Sequence, residues 1–159
     1  MKKIFAFIFV LITSVSVFAV ININNFINKN DSKYQTFTIG LSPDLGGYIF
    51  WVSEDGKHGL VAEIKDQGFS DWYGAQDLIS NPANHSSDGA KFRDWRLPTK
   101  HELNEIYTHK AKIGGFTNKY YWCSTEHASL RAWFFDIITG ETYSFSKDKS
   151  NCIRAVRSF

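Results

Sequence analysis

Lys110, Lys112 and Lys119 flank the pair Gly114-Gly115, with His109 beside them. Ammonium and guanidinium groups gathered in this way attract sulfate or carboxylate, so the chemistry they offer is recognition of an acidic glycan or another polyanion. Arg131 is a further, more distant cation. The competing reading is a solvated helix end, where lysine is favoured by the dipole. Catalytic chemistry has less to build on. There is no Gly-x-Ser-x-Gly elbow and no glycine-rich phosphate loop. His101-Glu102-Leu103-Asn104-Glu105 begins like a zinc-protease helix, but Glu105 stands where the second histidine ligand must be. Asn81, Asn84, Asp88 and Asp94 are hard oxygen donors without the spacing of a calcium loop. The expectation is a non-enzymatic binding module with no cofactor and no metal.

Charge and cysteine usage narrow the setting. Lys2 and Lys3 precede an apolar run from Ile4 to Val15, and Val17-Phe18-Ala19 suits a signal peptidase. Residues 1–19 therefore read as a secretory signal peptide, with retention as an uncleaved anchor the alternative. The expected location is the periplasm, the cell surface or the medium. The chain carries 18 basic and 16 acidic residues. Without Lys2 and Lys3 it is neutral, so nucleic acid is excluded as an expected partner. Residues 40–90 hold two lysines against eight carboxylates, and the segment 91–119 reverses that balance. Two cysteines, Cys123 and Cys152, in an exported chain favour a disulfide. Closing that loop would contribute about 3 kcal/mol.

The elements that must position these groups follow from local pattern. Residues 20–39 form an Asn-rich arm, and the domain occupies 40–159. Gly46-Gly47 opens an aromatic strand buried on both faces, and Glu54-Asp55-Gly56-Lys57 turns it into a hairpin. Ser70 is placed to cap a short helix running to Ile79, stopped by Asn81-Pro82. Thr99 and Glu102 predict a capping box for a second helix ending near Lys110, with Leu103, Ile106 and Tyr107 on its inner face. Strands are expected near 120–124, 132–137, 142–145 and 152–156. Trp95, Trp122 and Trp133 read as core anchors, with a sugar-stacking platform as the sharper alternative for the last two. Pro98 sets the turn that delivers the second helix, and Arg96 is placed to pair with a carboxylate under the loop.

Taken in order, several motifs resemble one family: Gly46-Gly47-Tyr48-Ile49-Phe50-Trp51, Asp94-Trp95-Arg96-Leu97-Pro98-Thr99 through Glu102-Leu103, Tyr121-Trp122-Cys123-Ser124-Thr125, Ala132-Trp133 and Arg154-Ala155-Val156-Arg157. Residues 40–159 are similar to the Lcl C-terminal domain family (DUF1566). The resemblance implies an α+β, C-type-lectin-like fold related to the sulfatase-modifying factors, with two helices packed on small antiparallel sheets and neighbouring termini. It also implies an exported bacterial protein. The adhesin for which the family is named is linked to sulfated glycosaminoglycans and trimers, but this chain lacks its collagen-like repeat. Cys123 and Cys152 depart together from the usual family residues. The functional expectation is adhesion to acidic glycans or a host-surface polyanion. An envelope protein-interaction domain is the alternative, and a relative of the sulfatase modifiers is the third.

Overall fold

Gly47 can approach a neighbouring strand where no other residue could: a Cβ there would sit 2.2 Å from the carbonyl of Ala62. That contact seats the aromatic strand at the centre of the molecule. The computed structural model describes residues 35–117 and 119–159. The expected signal peptide and most of the Asn-rich arm lie outside the described residues.

Among the described residues there are nine strands and two α-helices: β1 (Gly40–Ser42), β2 (Gly47–Val52), β3 (Gly59–Ala62), β4 (Gly68–Ser70), α1 (Ala75–Ser80), α2 (Lys100–Ile113), β5 (Tyr120–Ala128), β6 (Arg131–Asp136), β7 (Thr142–Ser146), β8 (Asn151–Ile153) and β9 (Val156–Ser158). One sheet has the order β1-β2-β3-β9 and the other β4-β8-β5-β6-β7. The expected α+β class, two helices on small sheets, is what the chain adopts. All pairings are antiparallel except β5 with β8, which meet in parallel at Tyr121 and Cys152. Chain contacts delimit a unit from Phe37 to Phe159. Its two ends touch, with the Phe37 and Phe159 rings 4.7 Å apart.

Strand β2 is buried on both faces, as its aromatic run predicts. Tyr48 and Phe50 join Leu103, Ile106, Tyr121, Phe135 and Val156 in one core. Ile49 turns to a second core with Val61, Ile79, Trp95, Trp122 and Ile153. Each fully buried large side chain contributes about 1.5–3 kcal/mol, so these two clusters hold the sheets together.

Both helices differ in extent from the sequence reading. The capping box on α2 forms, with Glu102 N donating to Thr99 Oγ1 and Thr99 N to the Glu102 carboxylate. The helix then runs on to Ile113, because that side chain is itself buried. Helix α1 starts at Ala75 and not at Ser70. Ser70 belongs to β4, while the Asp71 carboxylate accepts Gly74 N in the turn between them. The expected last strand is two strands, split at Arg154-Ala155. There Ala155 N bonds the Gln67 side chain instead of a ladder partner, and the chain passes from one sheet to the other.

The expected disulfide is not formed. Cys123 and Cys152 are free, buried thiols in the same core. The register explains it. Cys152 stands opposite Tyr121, so Cys123 lies two residues farther along the neighbouring strand. Strand spacing and rise put such diagonal Cα atoms about 8 Å apart, beyond the reach of a bridge. Cys152 instead makes a 3.3 Å contact with Asp66 Oδ2. Burial pushes the Cys123 thiol up to about 12, and burial with the Asp66 charge pushes Cys152 up to about 11. Both are therefore protonated and unreactive at neutral pH. A thiol reagent is expected to label neither cysteine in the native protein and both in denaturant.

Candidate functional site

The turn from Asp94 to Thr99 is held from both sides. Trp95 is buried and its indole N–H donates to Gly89 O, while Asp94 accepts from Arg157 Nε at 2.8 Å. Arg96 bridges to β9 through its backbone, exchanging hydrogen bonds with Val156. Its guanidinium grips both oxygens of Glu102 at 2.8 and 2.6 Å. That is the carboxylate expected beneath the loop. The guanidinium and the Thr99 bonds hold the Glu102 carboxyl below its usual range, overcoming a burial effect of opposite sign. Pro98 O receives both Ser124 N and Ser124 Oγ, which ties the turn to β5.

The tryptophans divide. Trp122 is fully buried, with its indole N–H donated to Ser70 O, so it cannot stack on a sugar. Trp133 is half-buried, edge-on to His127 and covered by the Lys100 ammonium at 4.5 Å.

The predicted cations do not form one cluster. Lys110 and Lys119 line a single open groove of about 620 Å³ with Phe116, Thr117, Ile137 and Ile138. Lys110 Nζ donates to the carbonyls of Ile137 and Ile138 and lies over the Tyr107 ring. Lys119 Nζ sits 3.0 Å from Asp136 Oδ2, and that hydrogen bond raises the pKa of the lysine. Lys112 is exposed on the same helix end but outside the groove lining.

Arg131 sits at the far end of the β5–β6 hairpin, where it pairs with Ser146 of the edge strand β7. Its Nη2 donates to Ser144 O at 2.6 Å. The ladder bonds Asp136 N to Glu141 O and Lys147 N to Leu130 O put the odd positions of β7 in register with β6. Ser144 O therefore points off the open edge, and Arg131 caps it. Arg131→Ala is expected to uncover this edge and raise self-association, read by light scattering against protein concentration.

Several charged groups in this molecule carry no local sequence signature. Glu63 meets His85 across 22 positions, and Asp66 meets Arg154 across 88. The one available signal was a carboxylate ending the apolar run Leu60-Val61-Ala62-Glu63. Trp72, Tyr73 and Gln76, which fall within the helix expected from Ser70 to Ile79, line an open cleft beside Arg96. The four oxygen-bearing side chains weighed for calcium are all taken up by protein partners. Asn81 accepts from Ala83 N, Asn84 donates to Leu78 O, Asp88 pairs with Lys91, and Asp94 holds Arg157. Among the described residues no group of three His, Cys, Asp or Glu is arranged to hold a metal ion. No described helix is long and apolar enough to cross a membrane.

A search of curated proteins finds no match to the chain. The sequence model of the Lcl C-terminal domain matches residues 43–157, which takes in the anchored turn, both helices and every strand except β1 and the last residue of β9. On that match, and on the motifs just placed in the fold, the chain belongs to the Lcl C-terminal domain family.

Proposed function

We propose that this domain is an exported, non-enzymatic binding module that engages acidic glycans or a host-surface polyanion through Lys110 and Lys119. The observation that carries the reading is the open groove lined by both ammonium groups. Lys119 is held by Asp136 and Lys110 by the carbonyls of Ile137 and Ile138, so both ammonium groups are fixed at the groove wall. Asp136 Oδ1 is engaged by Ile138 N and Thr139 N, so the carboxylate is anchored to its own turn. A sulfate or carboxylate entering the groove would meet two cations held near apolar walls. A non-enzymatic role is supported by how the reactive groups are used. Both thiols stay protonated, and Glu63, Asp66 and Glu102 are each taken up by structural partners. Export rests on Lys2, Lys3 and the apolar run that follows them.

The test is binding of sulfated and carboxylated oligosaccharides at low and moderate salt. Lys110→Ala and Lys119→Ala are each expected to weaken binding about tenfold, the value of one charge-assisted hydrogen bond. Lys112→Ala is expected to change it far less. Affinity should fall as salt rises, since the cations face solvent. Retention that is indifferent to salt and to both substitutions rejects the reading. Capture of an envelope protein in its place would support the interaction role, which the exposed Tyr143 and Phe145 on the edge strand favour.

A further inference from the structure

Between the start of α1, the Arg96–Thr99 turn and β5 lies a second open cleft of about 520 Å³, lined by Trp72, Tyr73, Gln76, Arg96, Thr99 and Ser124. Its volume falls within the range of small-ligand sites. Two features set it apart from a surface dimple.

The first is a fixed aromatic wall. Trp72 donates its indole N–H to Cys123 O at 2.8 Å, so the ring cannot swing. Tyr73 stands edge-on to it at 5.8 Å and is 58% exposed. A buried ammonium, Lys147, lies 4.2 Å from the Trp72 ring centre and 5.7 Å from that of Tyr73. Lys147 is itself held by Glu126 at 2.6 Å and by Ser129 O. A cation over aromatic faces adds to the stiffness of the wall. An aromatic surface kept in place before a ligand arrives loses little entropy on binding.

The second is a set of unspent hydrogen-bonding groups. A guanidinium carries five N–H donors. Arg96 spends two contacts from Nη1, on Leu97 O and Glu102 Oε2, and one from Nη2, on Glu102 Oε1. Its Nε–H and the other Nη2 hydrogen are left for a ligand. Gln76 Nε2 makes only long contacts of 3.4 Å, to Ser80 Oγ and Trp95 O, and its carbonyl accepts no bond. Ser124 Oγ donates to Pro98 O and keeps its lone pairs. Thr99 Oγ1 accepts from Glu102 N and its hydroxyl supports the Glu102 carboxylate, so Thr99 contributes shape to the wall and no free donor. Planar amide and guanidinium edges alternate here with hydroxyls beside an aromatic face.

We infer that this cleft is a subsite for an uncharged pyranose ring. Vicinal hydroxyls present adjacent donors and acceptors in the pattern that Gln76, Arg96 and Ser124 complement. The apolar C–H face of the sugar covers Tyr73. Arg96 stays neutralised by Glu102, so the cleft has no net pull on an anion, and its binding is independent of the Lys110–Lys119 groove.

The Trp72 indole N–H reports directly on this cleft by heteronuclear NMR. Methyl glycosides of glucose, galactose, mannose and N-acetylglucosamine, and short oligomers of each, are titrated into the labelled protein. At least one of these neutral sugars should shift that resonance saturably, with affinity unchanged between low salt and about 0.5 M, where screening is nearly complete. Tyr73→Ala and Gln76→Ala should each weaken it about tenfold, the loss of a stacking contact or a hydrogen bond. Tyr73→Phe should retain it, and Lys119→Ala should leave it unchanged. Tyr73 and Gln76 are exposed, so the fold survives their replacement, and the spectrum itself verifies this. No shift from any of these sugars, or undiminished binding by Tyr73→Ala, overturns the inference. Salt-sensitive binding lost in Lys119→Ala alone assigns the glycan to the other groove and also counts against this one.

Discussion

Asp66→Ala is expected to lower the unfolding free energy by about 3–5 kcal/mol, the cost of leaving a buried charge without its partner. The stranded charge is Arg154, which has no exposed surface. Its Nε donates to Asp66 Oδ1 at 2.8 Å, and Nη2 lies 2.7 Å from the same oxygen without hydrogen-bond alignment. Nη1 bonds Glu63 O and Gly114 O, and the guanidinium lies over the Phe116 ring at 4.0 Å. The other oxygen of Asp66 accepts from Thr117 N, Thr117 Oγ1 and the Tyr121 hydroxyl. One carboxylate thus joins the end of β3, the loop after α2, β5 and the crossover between the sheets. Burial works to raise its pKa, but Arg154 and the Thr117 bonds prevail and hold it below the ordinary carboxylate value. Native domains have total stabilities of about 5–15 kcal/mol, so the loss is a large share. The urea midpoint should drop accordingly. Replacing Asp66 and Arg154 together by apolar residues should recover much of the deficit, because no charge is then stranded. A single variant as stable as the parent would show the network to be idle.

The second large effect concerns Glu63 and His85. His85 Nδ1 lies 2.9 Å from Glu63 Oε2 and Nε2 lies 2.7 Å from Ile79 O. Both facing atoms are acceptors, so both ring nitrogens must carry a proton, and His85 is an imidazolium. It stacks on Trp95 with centroids 5.4 Å apart. Ile64 N and Ser86 N complete the shell of Glu63. Burial opposes charge on both residues. The mutual hydrogen bond outweighs it, helped by Ser86 and Ile64 for the glutamate and by Ile79 O for the histidine, so the Glu63 pKa is lowered and that of His85 is raised, with Lys65 opposing the latter.

The pH dependence follows from those directions. A raised histidine pKa contributes stability that is whole below its ordinary value of 6.5 and disappears as pH climbs through the folded value. A lowered glutamate pKa contributes stability that is whole above 4.5 and disappears as pH falls through the folded value. The pair is therefore at full strength between these two ordinary values, and the domain should lose stability on the alkaline side. Glu63→Ala is expected to cost about 3–5 kcal/mol near pH 6, by the same stranded-charge reasoning. It should also flatten the alkaline decline, which melting curves at several pH values would show. A His85 C2 proton, assigned by its loss in His85→Gln, that titrates at the ordinary value in the native protein would contradict the imidazolium.

The contrast between these networks and the capped turn explains what a linear reading captures. Thr99 and Glu102 are three positions apart, so their bond is written into one turn of helix and is visible in the string. Glu63 and His85 are joined only when the end of β3 meets the loop after α1, and Asp66 and Arg154 only when the segment after β3 meets the crossover between β8 and β9. Each member looks like an ordinary surface residue until then. The cysteines make the same point from the other side. An even count, in a chain expected to be exported, favours a bridge, yet the β5–β8 register sets the thiols on a diagonal too long for one. The lysines did as well as their local geometry allowed. Lys110 and Lys119 meet in one groove, because helix α2 ends against the turn after β6, while Arg131 is carried to the opposite end of that strand.

The sequence by itself determined the family, the α+β class, the aromatic strand buried on both faces and the capped helix behind the tryptophan turn. Those depend on spacing within a few residues, where backbone geometry leaves little choice. The tertiary structure decided which charges are buried, which aromatic rings face solvent, and which polar groups still have a bond to offer. Such properties belong to pairs of distant segments, and exist only once packing has removed water from one face of each.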